Sequence, residues 1–112
     1  MFKTTIKVNN VTYQLVITDR YDSFIKNDTL FGETVYDTLT IYIKDSLCDE
    51  SKRRTIIHEL CHALLSSQGR LYSNSFYRED LCEMFAWNAE TLINLCDKVW
   101  KEYTESIYYE SK

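Results

Sequence analysis

The spacing of apolar residues changes near the middle of the chain, and this change constrains the fold most. Residues 2–8 and 11–18 alternate between apolar and polar side chains, which is typical of β-strands with one buried face. Residues 49–67 instead carry apolar side chains at every third or fourth position, which is typical of an amphipathic helix. Strands in the first half and helices in the second predict an α+β domain.

Three strands are predicted in the first half. The first two are joined by Asn residues at 9–10, and such a connection between alternating runs favours a β-hairpin. The third covers residues 38–43, where β-branched and aromatic residues favour a strand. Residues 21–30 are ambiguous and include a candidate short helix, while Gly32 and Asp37 flank a candidate turn. We therefore expect a small antiparallel sheet of about three strands.

Two helices are predicted in the second half. The first begins at a cap provided by Asp49 or Ser51 and ends near Ser67. The second is long, starts near Ser75 and ends within residues 100–109. The first helix has an apolar stripe at helical spacing, formed by Ile56, Ile57, Leu60 and Leu64. This stripe predicts that the helix packs on the sheet.

The composition and charge narrow the classes of function. The 112 residues suffice for one modest core, so we expect residues 1–112 to form a single domain. A net charge of −4 argues against binding to nucleic acid, which needs a basic face. No apolar run is long enough for a membrane span, and the first seven residues lack the apolar core of a secretory signal. The four cysteines are therefore expected to be reduced thiols of a cytoplasmic protein: Cys48, Cys61, Cys82 and Cys96.

Residues 58–62 read His-Glu-Leu-Cys-His, an HExxH motif within the first predicted helix. Residues four apart lie on one helix face, so His58 and His62 can bind the same metal ion. Glu59 can then take a proton from a water on that ion, because zinc lowers the pKa of the water to near neutral. The chain has two histidines, and both belong to the motif. We therefore predict a zinc site with Glu59 as general base, against the alternative of a chance HExxH.

The third metal ligand is predicted by elimination. A catalytic zinc needs three protein ligands, and the chain has no third histidine, so the ligand is an Asp, Glu or Cys. The second predicted helix carries Glu79, Glu83 and Glu90 on a shared face. We expect Glu79 to bind the metal and Glu83 to accept a hydrogen bond from the other ring nitrogen of a ligand histidine. The exchanged assignment of the two glutamates and a solvated acidic face are the alternatives.

A zinc site that hydrolyses its substrate through an activated water also needs a donor for the transition-state oxyanion. With both histidines used as ligands, the candidates lie between the two helices or at the start of the second: Tyr72, Tyr77 and Arg78. The alternative is that these three side chains are ordinary loop or surface residues.

The two motifs together resemble a known group of enzymes. The segments HELCHALL at 58–65 and EDLCEMFA at 79–86 are similar to the gluzincin clan of zinc metallopeptidases. Within it, they most resemble the compact minigluzincins and the ImmA/IrrE-type metallopeptidases of bacteria, phages and mobile elements. The downstream motif of that family runs Glu-x-x-Ala-Asn-x-Phe-Ala. Its ligand glutamate falls on Glu79 and its Asn position on Glu83.

The resemblance covers roughly residues 32–95 and implies a zincin-like fold. It also implies that the strand at 40–43 is an edge strand along the active-site cleft, where an extended peptide could add to the sheet. Two positions depart from the family pattern, because Cys61 stands where Gly or Thr is usual and Cys82 where Ala is usual. Both are small enough to serve as packing residues, and a thiol that binds the metal or inhibits the site is the alternative.

Motif and resemblance together imply an enzyme, a zinc endopeptidase that acts on a protein or peptide substrate in the cytoplasm. The alternative is a catalytically silent zincin-fold binding or structural protein of a phage or mobile element. The presence of Glu59 and of the set His58, His62 and Glu79 favours the enzyme. Neither a nucleic-acid nor a membrane partner is expected, and no pattern in the sequence predicts the substrate or the oligomeric state.

Overall fold

The computed structural model describes the backbone of residues 1–68 and 78–110, and the side chains of these residues except 78–81. The elements in chain order are β1 (Phe2–Val8), β2 (Val11–Thr18), α1 (Asp22–Lys26), β3 (Gly32–Val35), β4 (Thr40–Lys44), α2 (Asp49–Ser67) and α3 (Arg78–Glu110). The predicted α+β class is confirmed, since one sheet packs against helices that include the helix carrying the HExxH motif.

Among the described residues, the sheet has four strands in the order β1-β2-β4-β3, whereas about three antiparallel strands were expected. Two strand pairs, β1 with β2 and β3 with β4, are antiparallel, but β2 and β4 are parallel. The additional strand is β3, which has four residues, begins with a glycine and is half-buried throughout. It therefore lacks the alternation that reveals a longer strand. Because the chain runs back along β3 before entering β4, β4 points in the same direction as β2.

The predicted hairpin between β1 and β2 is confirmed. Its two turn residues, Asn9 and Asn10, have φ angles of 48° and 57°, and the flanking Val8 and Val11 pair directly. A two-residue turn with both φ angles positive matches the right-handed twist of the strands, and Asn tolerates this conformation better than most residues do. The local sequence is therefore sufficient to set the register of this hairpin.

The edge strand beside α2 is β3, not β4. The structure places β4 between β2 and β3, so the expectation that residues 40–43 form an edge strand was wrong. The physical reason is the pairing of residues 32–35 along the outer side of β4, which the sequence pattern did not indicate. Within residues 1–68 and 78–110, the free edge of the sheet on this side therefore belongs to β3.

The core lies between one face of the sheet and the two long helices. The strands contribute side chains with no exposed surface, Leu15, Ile17, Ile41 and Ile43. Helix α2 contributes Ile56, Leu60, Ala63 and Leu64, and α3 contributes Leu92, Cys96, Val99 and Tyr103. These spacings of three and four residues keep one stripe of each helix against the sheet. The stripe predicted for α2 is confirmed, with Ile57 at its partly buried margin.

Helices α2 and α3 run antiparallel. Three side-chain contacts set their register: Lys52 with Tyr103 at 2.7 Å, Arg53 with Asp97 at 2.9 Å and Gln68 with Asn88 at 3.1 Å. Helix α2 spans the predicted residues, but its N-cap is Cys48 and makes no side-chain capping bond, so neither Asp49 nor Ser51 is the cap. The predicted start of α3 at Ser75 lies outside the described residues. Within the described part of the chain, no helix combines the length and apolar character needed to cross a bilayer.

Candidate metal centre

Helix α2 places His58 and His62 one turn apart on its exposed side. Their Nε2 atoms are 3.2 Å apart, and their rings are inclined at 73° to each other. Together with Glu59, they offer three ligand atoms that lie within 4.8 Å of one another. Among the described side chains, His58, Glu59 and His62 form a group of three His, Cys, Asp or Glu residues that are close enough to hold a metal ion.

The separation of the two histidine nitrogens fits zinc. Two Zn–N bonds of about 2.0–2.1 Å at a tetrahedral angle place the nitrogens about 3.3–3.4 Å apart. The observed distance between the Nε2 atoms of His58 and His62 is 3.2 Å. The distance between the two imidazole nitrogens is therefore compatible with one shared tetrahedral ion.

Glu59 is buried although the histidines on both sides of it are exposed. Its residue exposure is 6%, because it lies under β3. The Oγ1 atom of Thr34 lies 2.7 Å from Oε2 of Glu59 and 3.3 Å from the Glu59 carbonyl oxygen. The hydroxyl therefore donates a short hydrogen bond to the carboxylate. Thr34 was not predicted as a site residue, since it precedes Glu59 by 25 residues and belongs to a strand that the pattern did not reveal.

Gly32 allows β3 to approach α2 at this point. A Cβ atom added to Gly32 would lie 2.7 Å from Cγ2 of Thr55, 2.9 Å from the backbone oxygen of Tyr42 and 3.2 Å from Cγ of Glu59. The first two distances are too short for any side chain, and one of them involves backbone. The absence of a side chain is therefore what permits the contact between strand and helix.

Two open cavities lie on either side of Glu59, and both are lined by Gly32 of the edge strand. The larger, about 420 Å³, extends towards the start of α2 and is lined by His58 and Arg54 among others. The smaller, about 240 Å³, lies on the other side and is lined by Thr34 and His62 among others. Glu59 lines both cavities.

The remaining predicted site residues lie on α3 or before it. Tyr72 and Tyr77 lie outside the described residues, as do the side chains of Arg78 and Glu79, whose backbone belongs to α3. Glu83 is exposed, and its Oε2 atom accepts a hydrogen bond from Nε1 of Trp87 at 3.1 Å.

The position of Glu83 along α3 follows from the helix register. It comes five residues before Asn88, which contacts Gln68 just past the end of α2. At a rise of about 1.5 Å per residue, it lies about 7.5 Å along α3 beyond that contact. The described residues therefore bring His58, Glu59 and His62 together, whereas the roles of Glu79 and Glu83 stay predictions.

The two cysteines near the predicted site have different environments. Cys61 is partly buried against the core, and burial raises the pKa of its thiol, so it remains protonated and acts as a packing residue. Cys82 is exposed, and the expectation that it packs was wrong. The physical reason is that the N-terminal part of α3 extends beyond the end of α2. All four cysteines are free thiols.

Comparison with known proteins supports the resemblance found in the motifs. The family model described as Peptidase_M78, IrrE N-terminal-like domain, matches residues 14–97, three quarters of the chain. The match runs from β2 into α3 and includes the HExxH motif, and it confirms the resemblance to the ImmA/IrrE-type proteins. No curated protein and no solved structure matches the chain significantly. The chain belongs to the Peptidase_M78 family, the family of IrrE N-terminal-like domains.

Proposed function

We propose that this chain is a zinc-dependent endopeptidase that hydrolyses a peptide bond with Glu59 as general base. The observation that carries the proposal is the closeness of the exposed His58 and His62 to the buried Glu59, whose ligand atoms lie within 4.8 Å of one another. Membership in a peptidase family over residues 14–97 supports the same reading.

The metal we propose is Zn²⁺, held by His58, His62 and Glu79. Binding by Glu79 requires the start of α3 to turn back towards α2, because the contact of Gln68 with Asn88 places the residues before Asn88 beyond the end of α2. The histidine pair supports zinc by its nitrogen separation, and Glu79 is chosen because the ligand glutamate of the resembling family motif falls on it. When bound, zinc supplies Lewis acidity, which polarises a carbonyl oxygen and lowers the pKa of water.

The protein residues supply proton transfer and orientation. The Glu59 carboxylate accepts the proton of the attacking water and passes it to the leaving amine. The free edge of β3 holds the substrate as an extended strand, so that the scissile bond lies between the two cavities beside Glu59. The candidate donors to the oxyanion are Tyr72, Tyr77 and Arg78. The four free thiols support an enzyme of the cytoplasm that acts on a protein or peptide.

The first test is the metal content of the wild type and of His58→Ala, both purified without chelator and without a histidine tag. We expect about one zinc per wild-type chain, as in other catalytic zinc sites, and a clear loss in His58→Ala. A wild type that takes up no zinc, even when zinc is added, would overturn the proposal.

The second test separates an enzyme from a silent binding protein of the same fold. Zinc-loaded wild type and Glu59→Gln are incubated with casein, and new peptides are identified by mass spectrometry. We expect cleavage by the wild type, a loss of about 10²- to 10⁴-fold in Glu59→Gln and equal zinc content in both proteins. Cleavage at equal rates would exclude Glu59 as the base. Zinc binding without cleavage would favour the binding protein.

A further inference from the structure

We infer that Thr34 is a positioning residue for Glu59, an inference that rests on the proposed function. Its hydroxyl holds one oxygen of the Glu59 carboxylate, so that the other oxygen is left to accept a proton. Thr34 does not touch the reacting atoms itself, and its effect reaches the reaction only through the orientation of Glu59.

The contact has the geometry of an orienting hydrogen bond. Oγ1 of Thr34 lies 2.7 Å from Oε2 of Glu59, a distance typical of a hydroxyl that donates to a carboxylate. The distance from Oγ1 to the Glu59 carbonyl oxygen is longer, 3.3 Å. A hydroxyl has one proton, so the carboxylate is its main acceptor. The carboxylate is buried, and water therefore competes weakly for this bond.

The donor belongs to a rigid element. Thr34 is β-branched, which restricts its χ1 angle, and its backbone pairs with Ile41 inside the β3–β4 ladder. Gly32 lies two residues earlier and therefore faces α2 on the same side of the strand. Since a Cβ at Gly32 would contact Cγ2 of Thr55 and Cγ of Glu59, the glycine sets the approach that brings Thr34 within hydrogen-bonding distance.

Strand β3 lies beside both the proposed substrate site and the general base Glu59. Gly32 of this strand lines both cavities beside Glu59, and Thr34 of the same strand holds the Glu59 carboxylate. A carboxylate that rotates freely would spend only part of its time directed at the water. Holding a catalytic group in its reactive orientation lowers the barrier of the step, and partners that hold such groups contribute about 10- to 100-fold.

Three variants separate positioning from a structural role. Thr34→Val removes the hydroxyl and keeps the shape of the side chain, whereas Thr34→Ser keeps the hydroxyl and removes a methyl group. Thr40→Val is the matched control, because Thr40 is a buried threonine of the neighbouring strand whose hydroxyl donates to the Thr38 carbonyl. It belongs to the opposite face of the sheet from the Ile41 and Ile43 side chains that meet α2.

The first readout reports the contact itself and needs no turnover. The full chain is labelled with ¹³C at the glutamate carboxyl groups, and the Glu59 resonance is assigned by its absence from Glu59→Gln. We expect Thr34→Val to shift this resonance, and Thr34→Ser and Thr40→Val to leave it near the wild-type position. An unchanged Glu59 resonance in folded Thr34→Val would overturn the inference.

The second readout is kinetic, on a quenched peptide built around a casein cleavage site mapped with the wild type. We expect kcat to fall about 10- to 100-fold in Thr34→Val with KM and zinc content little changed, and to recover in Thr34→Ser. An unchanged kcat in Thr34→Val, or an equal loss in Thr40→Val, would overturn a positioning role. If the zinc-loaded wild type fails to cleave casein, that result counts against the proposed function. The Glu59 resonance in Thr34→Val then tests the contact between Thr34 and Glu59 without any kinetic measurement.

Discussion

Nζ of Lys52, at the start of α2, lies 2.7 Å from the hydroxyl of Tyr103 near the end of α3. Lys52 also donates to Oδ1 of Asp45 at 3.1 Å, and Tyr103 donates to the same oxygen at 2.7 Å. Lys52 and Tyr103 are buried, with exposures of 4% and 6%. Burial by itself lowers the pKa of Lys52, but the bonds to Tyr103 and Asp45 outweigh it and raise that pKa, so the ammonium stays charged. The triad joins the loop before α2 to the C-terminal half of α3.

Removal of the hydroxyl in Tyr103→Phe should destabilise the protein. The buried ammonium of Lys52 loses one of its acceptors, and an unsatisfied buried group costs about 1–3 kcal/mol, more when it is charged. We expect the free energy of unfolding, measured with urea, to fall by about 1–3 kcal/mol. Tyr109→Phe is the control, because Tyr109 is 71% exposed and its change should stay within about 0.5 kcal/mol. Equal stability of the two variants would contradict the role of the triad.

The triad also predicts a pH dependence of stability. Burial raises the pKa of Asp45, but the hydrogen bonds from Tyr103 and Lys52 outweigh it and lower the pKa below its ordinary value of 3.8. A lowered folded-state pKa adds stability that is present above pH 3.8 and is lost as the pH falls through the folded-state value. The stability difference between wild type and Asp45→Asn should therefore be largest at neutral pH and shrink below about pH 4. The Asp45 side chain is 39% exposed, so we expect a modest difference. Urea titrations of both proteins over this pH range measure it, and a difference that grows in acid would contradict the prediction.

Gly32→Ala should loosen the contact between β3 and α2. The new methyl group would lie 2.9 Å from the backbone oxygen of Tyr42, which cannot rotate away. Overpacking of this kind costs about 1–3 kcal/mol. We expect a lower melting temperature and, because β3 carries Thr34, a weaker hold on Glu59. A stability equal to that of the wild type would show that the strand adjusts without loss.

Zinc should stabilise the folded chain through the two histidines. A ligand that binds only the folded state at about 100 times its dissociation constant adds about 2.7 kcal/mol to the free energy of unfolding. We expect this gain in the wild type and its loss in His62→Ala, measured by thermal unfolding with and without zinc. Gln68→Ala is the matched control, since Gln68 lies just past the end of the same helix and contacts Asn88. A gain retained in His62→Ala would exclude that histidine as a ligand.

The cysteines should differ in their reaction with iodoacetamide. Hydrogen bonding to the Ser51 hydroxyl and to the backbone at Ser51 lowers the pKa of Cys48, which is exposed. Burial raises the pKa of Cys61 and of Cys96. Because the thiolate is the reactive form, Cys48 should be alkylated before Cys61 and Cys96 at pH 7. Mass spectrometry of peptides from a time course measures the order, and early labelling of Cys61 would contradict its role in packing.

Local patterns were sufficient where neighbouring residues determine the conformation. The two Asn residues at 9–10 favour a tight turn by their own backbone preference, and the hairpin follows. The stripe through Ile56, Leu60 and Leu64 identifies the buried side of α2, because helix geometry repeats within one element. The N-cap of that helix was missed, since Cys48 begins it without a side-chain hydrogen bond.

Patterns failed where a segment depends on its partners. Strand β3 has four residues, and its pairing with β4 is stabilised by contacts with α2 rather than by its own composition. Because β3 was not predicted, residues 40–43 were expected to form the edge strand, whereas β3 forms it. The exposure of Cys82 was likewise missed, because it depends on how far α3 extends beyond α2.

The sequence by itself determined the metal-binding face of this protein, because His58, Glu59 and His62 lie within one turn of a helix and their geometry is local. Only the tertiary structure decided what surrounds Glu59. Thr34 precedes Glu59 by 25 residues and contacts its carboxylate. The contact forms because the absence of a side chain at Gly32 allows β3 to lie against α2. Such a contact depends on the packing of two separate elements, and neither element encodes it alone.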